Sequence, residues 1–192
     1  MRVIAGTARR LTLSAPKGDT TRPTGDKIKE TLFNILAPDL AGIDFLDLFA
    51  GSGGIGIEAL SRGAKSCTFI EKNKEAVSCI KKNLETTHFT ESARVLATDV
   101  LTSLHTLHPK KAYGIVFMDP PYGQDIERRV LEILSGSDIT DYDTMIIVET
   151  DADTDLSYVT DLSFDIYRIK QYKNSKHVFM RRQTEKGVKE EQ

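Results

Sequence analysis

The chain has 192 residues, of which 40% are apolar and 28% charged, as expected for a single globular domain with one real core. No apolar run approaches the roughly 20 residues a membrane span needs, and MRVIAGTARR carries no export-signal core, so a cytoplasmic protein is expected. The net charge of −2 conceals segregation: Arg2, Arg9, Arg10, Lys17, Arg22, Lys27 and Lys29 meet only Asp19 and Asp26 before residue 30, residues 138–165 hold nine acids and no base, and residues 166–182 hold six bases and no acid. Either basic end could meet a polyanion, or be a solvated face.

Residues 1–24 hold short apolar runs, Val3–Ala5 and Leu11–Leu13, around Gly6, with Pro16, Gly18 and Pro23 after them. A small hairpin followed by a loop is expected. Thr24 is a plausible N-cap for a helix in which Ile28, Leu32, Ile35 and Leu36 recur at helical spacing, until Pro38 stops it. From residue 43 the pattern alternates. IDFLDLF is a strand, GSGGIG opens a helix ending near Arg62-Gly63, SCTFIE is a strand and Lys74 to His88 a helix. ARVLAT is a strand before a short helix near 100–107, GIVFM a strand before a helix from Asp125 to Leu134, and TMIIVET a strand. Short, near-continuous apolar strands separated by helices argue for a parallel sheet covered on both faces. LSFDIYRI and HVFMRR, joined by QYKNSK, lack a helix between them and read as a closing hairpin. The expected division is an extension over 1–24, one domain over 25–183 and a polar tail over 184–192.

Cys67 falls in a strand and Cys79 in a helix, with no CxxC spacing; both read as buried reduced thiols. His88, His105, His108 and His177 form no ligand pattern with them, so no metal is expected.

DLFAGSGGIG (47–56) lies between a strand and a helix. Gly51, Gly53 and Gly54 permit a tight turn and a close ligand approach. Glu71 closes the next strand, where an acid can accept from both hydroxyls of a ribose; the alternative is a tight turn with a solvated glutamate. A diphosphate favours a helix N-terminus free of competing acid. Asp47, four residues before the first loop glycine, suits a cationic ligand better. S-adenosylmethionine (AdoMet) has an ammonium, a sulfonium and no phosphate. Asp99, in ATDVL, could accept from an adenine amino group, cap the next helix, or both. Phe49, Lys72 and Val100, flanking these positions, complete the expected cofactor set.

MDPPYG (118–123) follows the fourth strand. In an open α/β sheet, ligands bind outside the carboxyl strand ends, so this tetrapeptide should share the crevice with the glycine loop. An exocyclic amine on a planar base has a delocalised lone pair and two N–H donors. Asp119 and the Asp119 and Pro120 carbonyls are acceptors, Pro120 and Pro121 add no competing N–H, and Tyr122 offers a stacking face. A rigid Pro-Pro turn is the bland alternative.

These residues resemble the class I AdoMet-dependent methyltransferases. Together with MRVIAG, TRPTGDKIKETLFNIL and DLFAGSGGIGIEALSRGA, DPPY resembles the bacterial small-subunit ribosomal RNA guanine-N2 methyltransferase family, nearly to Arg182. The resemblance implies a Rossmann-like α/β fold: a mostly parallel, seven-stranded sheet with an antiparallel last strand, after an N-terminal β-hairpin. It implies AdoMet as cofactor and methylation of one guanine N2 in small-subunit ribosomal RNA, in an assembled or partly assembled subunit. It implies that Arg22 and Thr24 lie near the methionine end of the cofactor, with Gly51, Gly53, Glu71 and Asp99 holding the rest. RNA contacts are expected at Arg2, Arg9, Arg10 and Arg22, and a monomer is expected. One position departs: the family usually has glycine after KQY, and this chain has Lys173.

The rivals are an adenine-N6 methyltransferase, which usually carries an additional recognition region; an NAD-binding oxidoreductase, disfavoured by Asp47 and by an unexplained DPPY; and a non-catalytic RNA-binding protein, against which the intact acid at 119 argues.

Overall fold

A computed structural model describes residues 1–16, 25–121 and 125–184. The strands are β1 (Asp44–Leu48), β2 (Ser66–Ile70), β3 (Ala93–Leu96), β4 (Ile115–Met118), β5 (Met145–Asp151), β6 (Phe164–Gln171) and β7 (Ser175–Arg182). The α-helices are α1 (Asp26–Leu36), α2 (Gly54–Ser61), α3 (Lys74–Thr87), α4 (Val100–Thr106) and α5 (Ile126–Ser135). The strands form one seven-stranded sheet in the order β3-β2-β1-β4-β5-β7-β6. The pairs among β1–β5 are parallel, β7 runs antiparallel to β5, and β6 returns antiparallel to β7. This is the expected Rossmann-like sheet, with its antiparallel closing strand. No helix among the described residues is long and apolar enough to cross a membrane.

Side-chain alternation divides the core between the two faces. Phe45, Phe69, Ile115, Phe117, Ile147 and Phe179 face one way and pack with α1, α2, α3 and the N-terminal segment. Leu46, Leu48, Ile70, Val116, Ile146 and Val178 face the other way and pack with α4 and α5. The strand order reverses between β1 and β4, which opens a crevice at their carboxyl ends.

Local chemistry sets the helix ends. The Asn73 side chain accepts from the amides of Glu75 and Ala76 at the start of α3, and Asp99 accepts from Leu101 at the start of α4, so each satisfies an otherwise orphaned donor. The cap position of α1 is Gly25 rather than Thr24, which lies outside the described residues.

The first residues form a minimal hairpin, reduced to one antiparallel bridge between Arg2 and Thr12. It is clamped to the domain. Glu58, wholly buried in α2, accepts from the amides of Ile4 (2.8 Å) and Ala5 (3.0 Å) and from Arg62 Nε (2.8 Å). Lys29, 1% exposed, donates to the Arg2 carbonyl and lies 3.4 Å from Glu58. Burial lowers its pKa while Glu58 opposes the shift. Gly6, at φ 84°, passes so close to Ser61 that a Cβ would overlap its carbonyl. Two expectations are corrected here: Lys29 belongs to a buried ion pair rather than to a solvated basic cluster, and Cys79 is only partly buried, unlike Cys67. At the other end, Lys173 fits the β6–β7 turn without a left-handed backbone, so this turn does not need glycine.

Candidate active site

The loop after β1 is built to turn sharply. Phe49 (φ 62°), Gly51 (φ 53°) and Gly53 (φ 82°) all take left-handed backbone conformations. Gly53 N donates to the Ala50 carbonyl at 2.7 Å. A Cβ at Gly51 would meet nothing within 4 Å among the described residues, which leaves room there for a ligand. Gly54 opens α2 beneath Met1, whose Sδ would lie 2.5 Å from a Cβ at that position.

Glu71 braces the loop. Its Oε2 accepts from Gly51 N (2.8 Å) and its Oε1 from Asn73 N (2.7 Å), which locks the carboxylate at the rim. Each oxygen retains a second lone pair for a ligand hydroxyl. Asp47 is 2% exposed, and its Oδ2 accepts from Gly56 N at 2.9 Å. Burial, aided by the charge on Glu71, pushes its pKa up to about 7, although the Gly56 amide opposes the shift. Asp99 caps α4 and has Lys72 Nζ at 3.9 Å, both at the surface. Val100, the first residue of α4, is 4% exposed, its side chain lying in the core with Leu104.

Asp119 follows β4 directly and is partly buried; Pro120 is buried and Pro121 exposed. Burial, then the charges of Glu149 and Asp47, raise the Asp119 pKa to about 8. The strand registers explain this. Asp47 pairs with Phe117 across β1–β4, and Met118 with Val148 across β4–β5. Two-residue alternation then puts Asp47, Asp119 and Glu149 on one face, at the carboxyl end of three adjacent strands. Three acids so close resist simultaneous ionisation.

Glu149 itself is 6% exposed, and its Oε2 lies 2.9 Å from Nε2 of the wholly buried His177 on β7. His177 Nδ1 meets the Tyr172 hydroxyl at 3.1 Å. Burial, then Glu149, pushes the Tyr172 pKa up to about 12. None of these three is expected in the site from the sequence, although TMIIVET carries a lone acid near the end of an apolar strand.

Not every expected residue gathers here. Tyr122, Arg22 and Thr24 lie outside the described residues. Arg2 is exposed and paired with Asp26 at 2.9 Å. Arg9 and Arg10 are exposed at the hairpin tip, where Thr7 and Ala8 bond to Ser61. Ser61 ends α2, some 10 Å along the helix from the glycine loop, so the tip points away from the crevice. No cluster suited to a metal ion occurs among the described residues.

The donor set is therefore one of acceptors: Asp47, Glu71 and Asp99 around an open, left-handed glycine turn. Such a cradle fits a cationic, hydroxyl-bearing nucleoside better than a diphosphate.

Comparison with known proteins agrees with this geometry. A family model described as "Conserved hypothetical protein 95" matches residues 1–181. The "Ribosomal RNA small subunit methyltransferase D" of Haemophilus influenzae is 38% identical over 157 residues, covering 81% of each chain. Its Escherichia coli namesake is 35% identical over 159 residues, covering 83% of this chain and 79% of its own. A solved Escherichia coli structure described as "Putative methyltransferase yhhF" superposes with a TM-score of 0.82 at 30% identity, covering 96% of this chain and 98% of its own.

Proposed function

The chain belongs to the bacterial small-subunit ribosomal RNA methyltransferase family, and we propose that it transfers a methyl group from AdoMet to the exocyclic N2 of one guanine in that RNA. The observation that carries this reading is the union, in one crevice, of the braced glycine turn and the row Asp47, Asp119 and Glu149.

AdoMet, when bound, supplies a methyl group on a positively charged sulfur. Glu71 accepts from the ribose, Asp99 from the adenine side, and Asp47 underlies the cationic end. Phe49, Gly51, Gly53 and Gly54 shape the turn around it, Lys72 and the Val100 backbone border it, and Arg22 and Thr24 belong to the methionine end. An opposite charge near Asp119 favours its ionised, purely accepting form. Ionised Asp119 and the Asp119 and Pro120 carbonyls hold the amine N–H groups, so the nitrogen lone pair is freed from the ring. Asp119 then takes the proton the nitrogen sheds as it gains its methyl group, which a raised pKa favours. Tyr122 stacks on the base. Arg2, Arg9 and Arg10 contact phosphates outside the crevice, where they position the RNA without reading it, and Arg22 is a further RNA contact.

The test is transfer of tritiated methyl from AdoMet to small-subunit ribosomal RNA, naked and within subunits, followed by mapping. One labelled guanine N2 is expected. Label on adenine, or none on either substrate, overturns the assignment.

A further inference from the structure

We propose that Glu149 selects guanine: its carboxylate accepts the N1–H of the target base beside Asp119, and His177 and Tyr172 are positioning residues that hold it there. This rests on the guanine-N2 reading above.

Placement comes first. Phe117 and Ile147 lie in one core cluster on one sheet face. Asp119 and Glu149, two residues further on each strand, therefore stand side by side at the carboxyl end. The upward shift of Asp119 records Glu149 as the largest charge acting on it.

Orientation comes second. His177 Nε2 lies 2.9 Å from Glu149 Oε2, where an N–H donates to the carboxylate. In that tautomer Nδ1 accepts from the Tyr172 hydroxyl over 3.1 Å. The chain Tyr172 to His177 to Glu149 is satisfied at each step and fixes one carboxylate oxygen. Glu149 Oε1 receives no hydrogen bond from the described residues. Glu149 is 6% exposed, and its Oε1 is not among the enclosed polar atoms left without a partner, so the held carboxylate keeps one accessible acceptor for a ligand.

Chemistry comes third. The amine edge of guanine offers three donors: N1–H and both N2–H. Two adjacent carboxylates, Asp119 and Glu149, supply the matching acceptors. Adenine presents a lone pair at N1, which would face the Glu149 oxygen and repel it. A buried acceptor left without its donor discriminates strongly.

The experiment compares methyl transfer to two RNAs that differ at the mapped position, one carrying guanine and one 2-aminopurine. The latter keeps the N2 amine but has a lone pair at N1 and lacks O6. The wild-type protein should prefer guanine by roughly 10- to 100-fold in kcat/KM, the value of one hydrogen bond to a charged group. Glu149→Gln should lose most of that preference, because its amide can donate to N1 of 2-aminopurine, while AdoMet affinity holds. The missing O6 is common to both proteins and cancels in the ratio of ratios. Tyr172→Phe should reduce the preference partway; an unchanged ratio would remove Tyr172 from the positioning role. Equal rates on both RNAs with the wild-type protein, or an unaltered ratio in Glu149→Gln, would overturn the assignment of Glu149 and leave the guanine-N2 reading intact. Absence of transfer to the guanine RNA by the wild type would overturn both. Equal wild-type rates overturn the assignment even if Glu149→Gln does not fold, and Tyr172→Phe then carries the comparison of ratios.

Discussion

Replacing Asp119 with asparagine should make the protein more stable and nearly inactive. The folded protein keeps a proton on Asp119 up to about pH 8, whereas the unfolded chain releases it near 3.8. Between those values the native state binds more protons, so wild-type stability falls as pH rises through that window. Below the lower value both states are protonated and the effect vanishes; above the upper value it is complete. Converted at 1.36 kcal/mol per pH unit, the gap would be worth about 5–6 kcal/mol. Asp119 is partly exposed, and its shift is shared with Glu149 and Asp47, so screening reduces this to about 1–3 kcal/mol. Asparagine has no charge to bury. For a domain of this size each kcal/mol is worth roughly 2–4 °C. Melting followed by circular dichroism from pH 4 to pH 9 should therefore show Asp119→Asn gaining about 2–12 °C over wild type at pH 8.5 and little at pH 4. Methyl transfer should fall by orders of magnitude while AdoMet binding survives, because asparagine turns one acceptor oxygen into a donor and cannot take the proton the amine sheds. A variant no more stable than wild type at pH 8.5, or one equally deficient in cofactor binding, would refute the reasoning.

Glu71→Ala should weaken AdoMet binding by roughly 1.5–3 kcal/mol by calorimetry, since it removes the ribose acceptor and the brace on Gly51; unchanged affinity would remove Glu71 from the site. Tyr122→Ala should reduce methyl transfer more than Tyr122→Phe if the ring stacks, and the reverse order would point to the hydroxyl. Replacing both Arg9 and Arg10 with alanine should weaken RNA binding, flatten its salt dependence and leave both AdoMet affinity and the methylated position unchanged; an intact salt slope would make these arginines a solvated face.

The alternation of apolar strands and helices was legible because a parallel sheet covered on both faces leaves no strand half-polar. The glycine turn, the acid inside the first strand and the acids after the second, third and fourth strands were legible because their spacing follows the βαβ unit. The fate of Lys29 was not. Helical spacing placed Ile28 and Ile35 on the inner face, yet the structure buries Lys29 and Phe33 there instead. A lysine enters the core only because Glu58, 29 residues later, brings the opposite charge and the Arg2 carbonyl takes a donated hydrogen bond. No local pattern encodes a partner on another helix. The direction of Arg9 and Arg10 was not legible either: it depends on Gly6 seating against Ser61, a contact across 55 residues.

Glu149 and His177 occupy the middle ground. Within TMIIVET, Met145 and Ile147 share a parity with Glu149, so an inward-facing acid could be read once the strand was recognised. In HVFMRR, His177 shares parity with Phe179 in the same manner. What the sequence could not supply was the antiparallel register that sets Glu149 opposite His177. That register depends on a closing hairpin rather than a βαβ crossover, and a slip of one residue would turn His177 to the other face. The bulge between Ile166 and Arg168 disturbs only the outer β6–β7 pairing, while β5–β7 stays regular from Ile146 to Asp151. The β5–β7 pairing therefore does two things: it closes the sheet, and it seats Glu149 so that Oε2 meets His177 while Oε1 takes no hydrogen bond from the described residues.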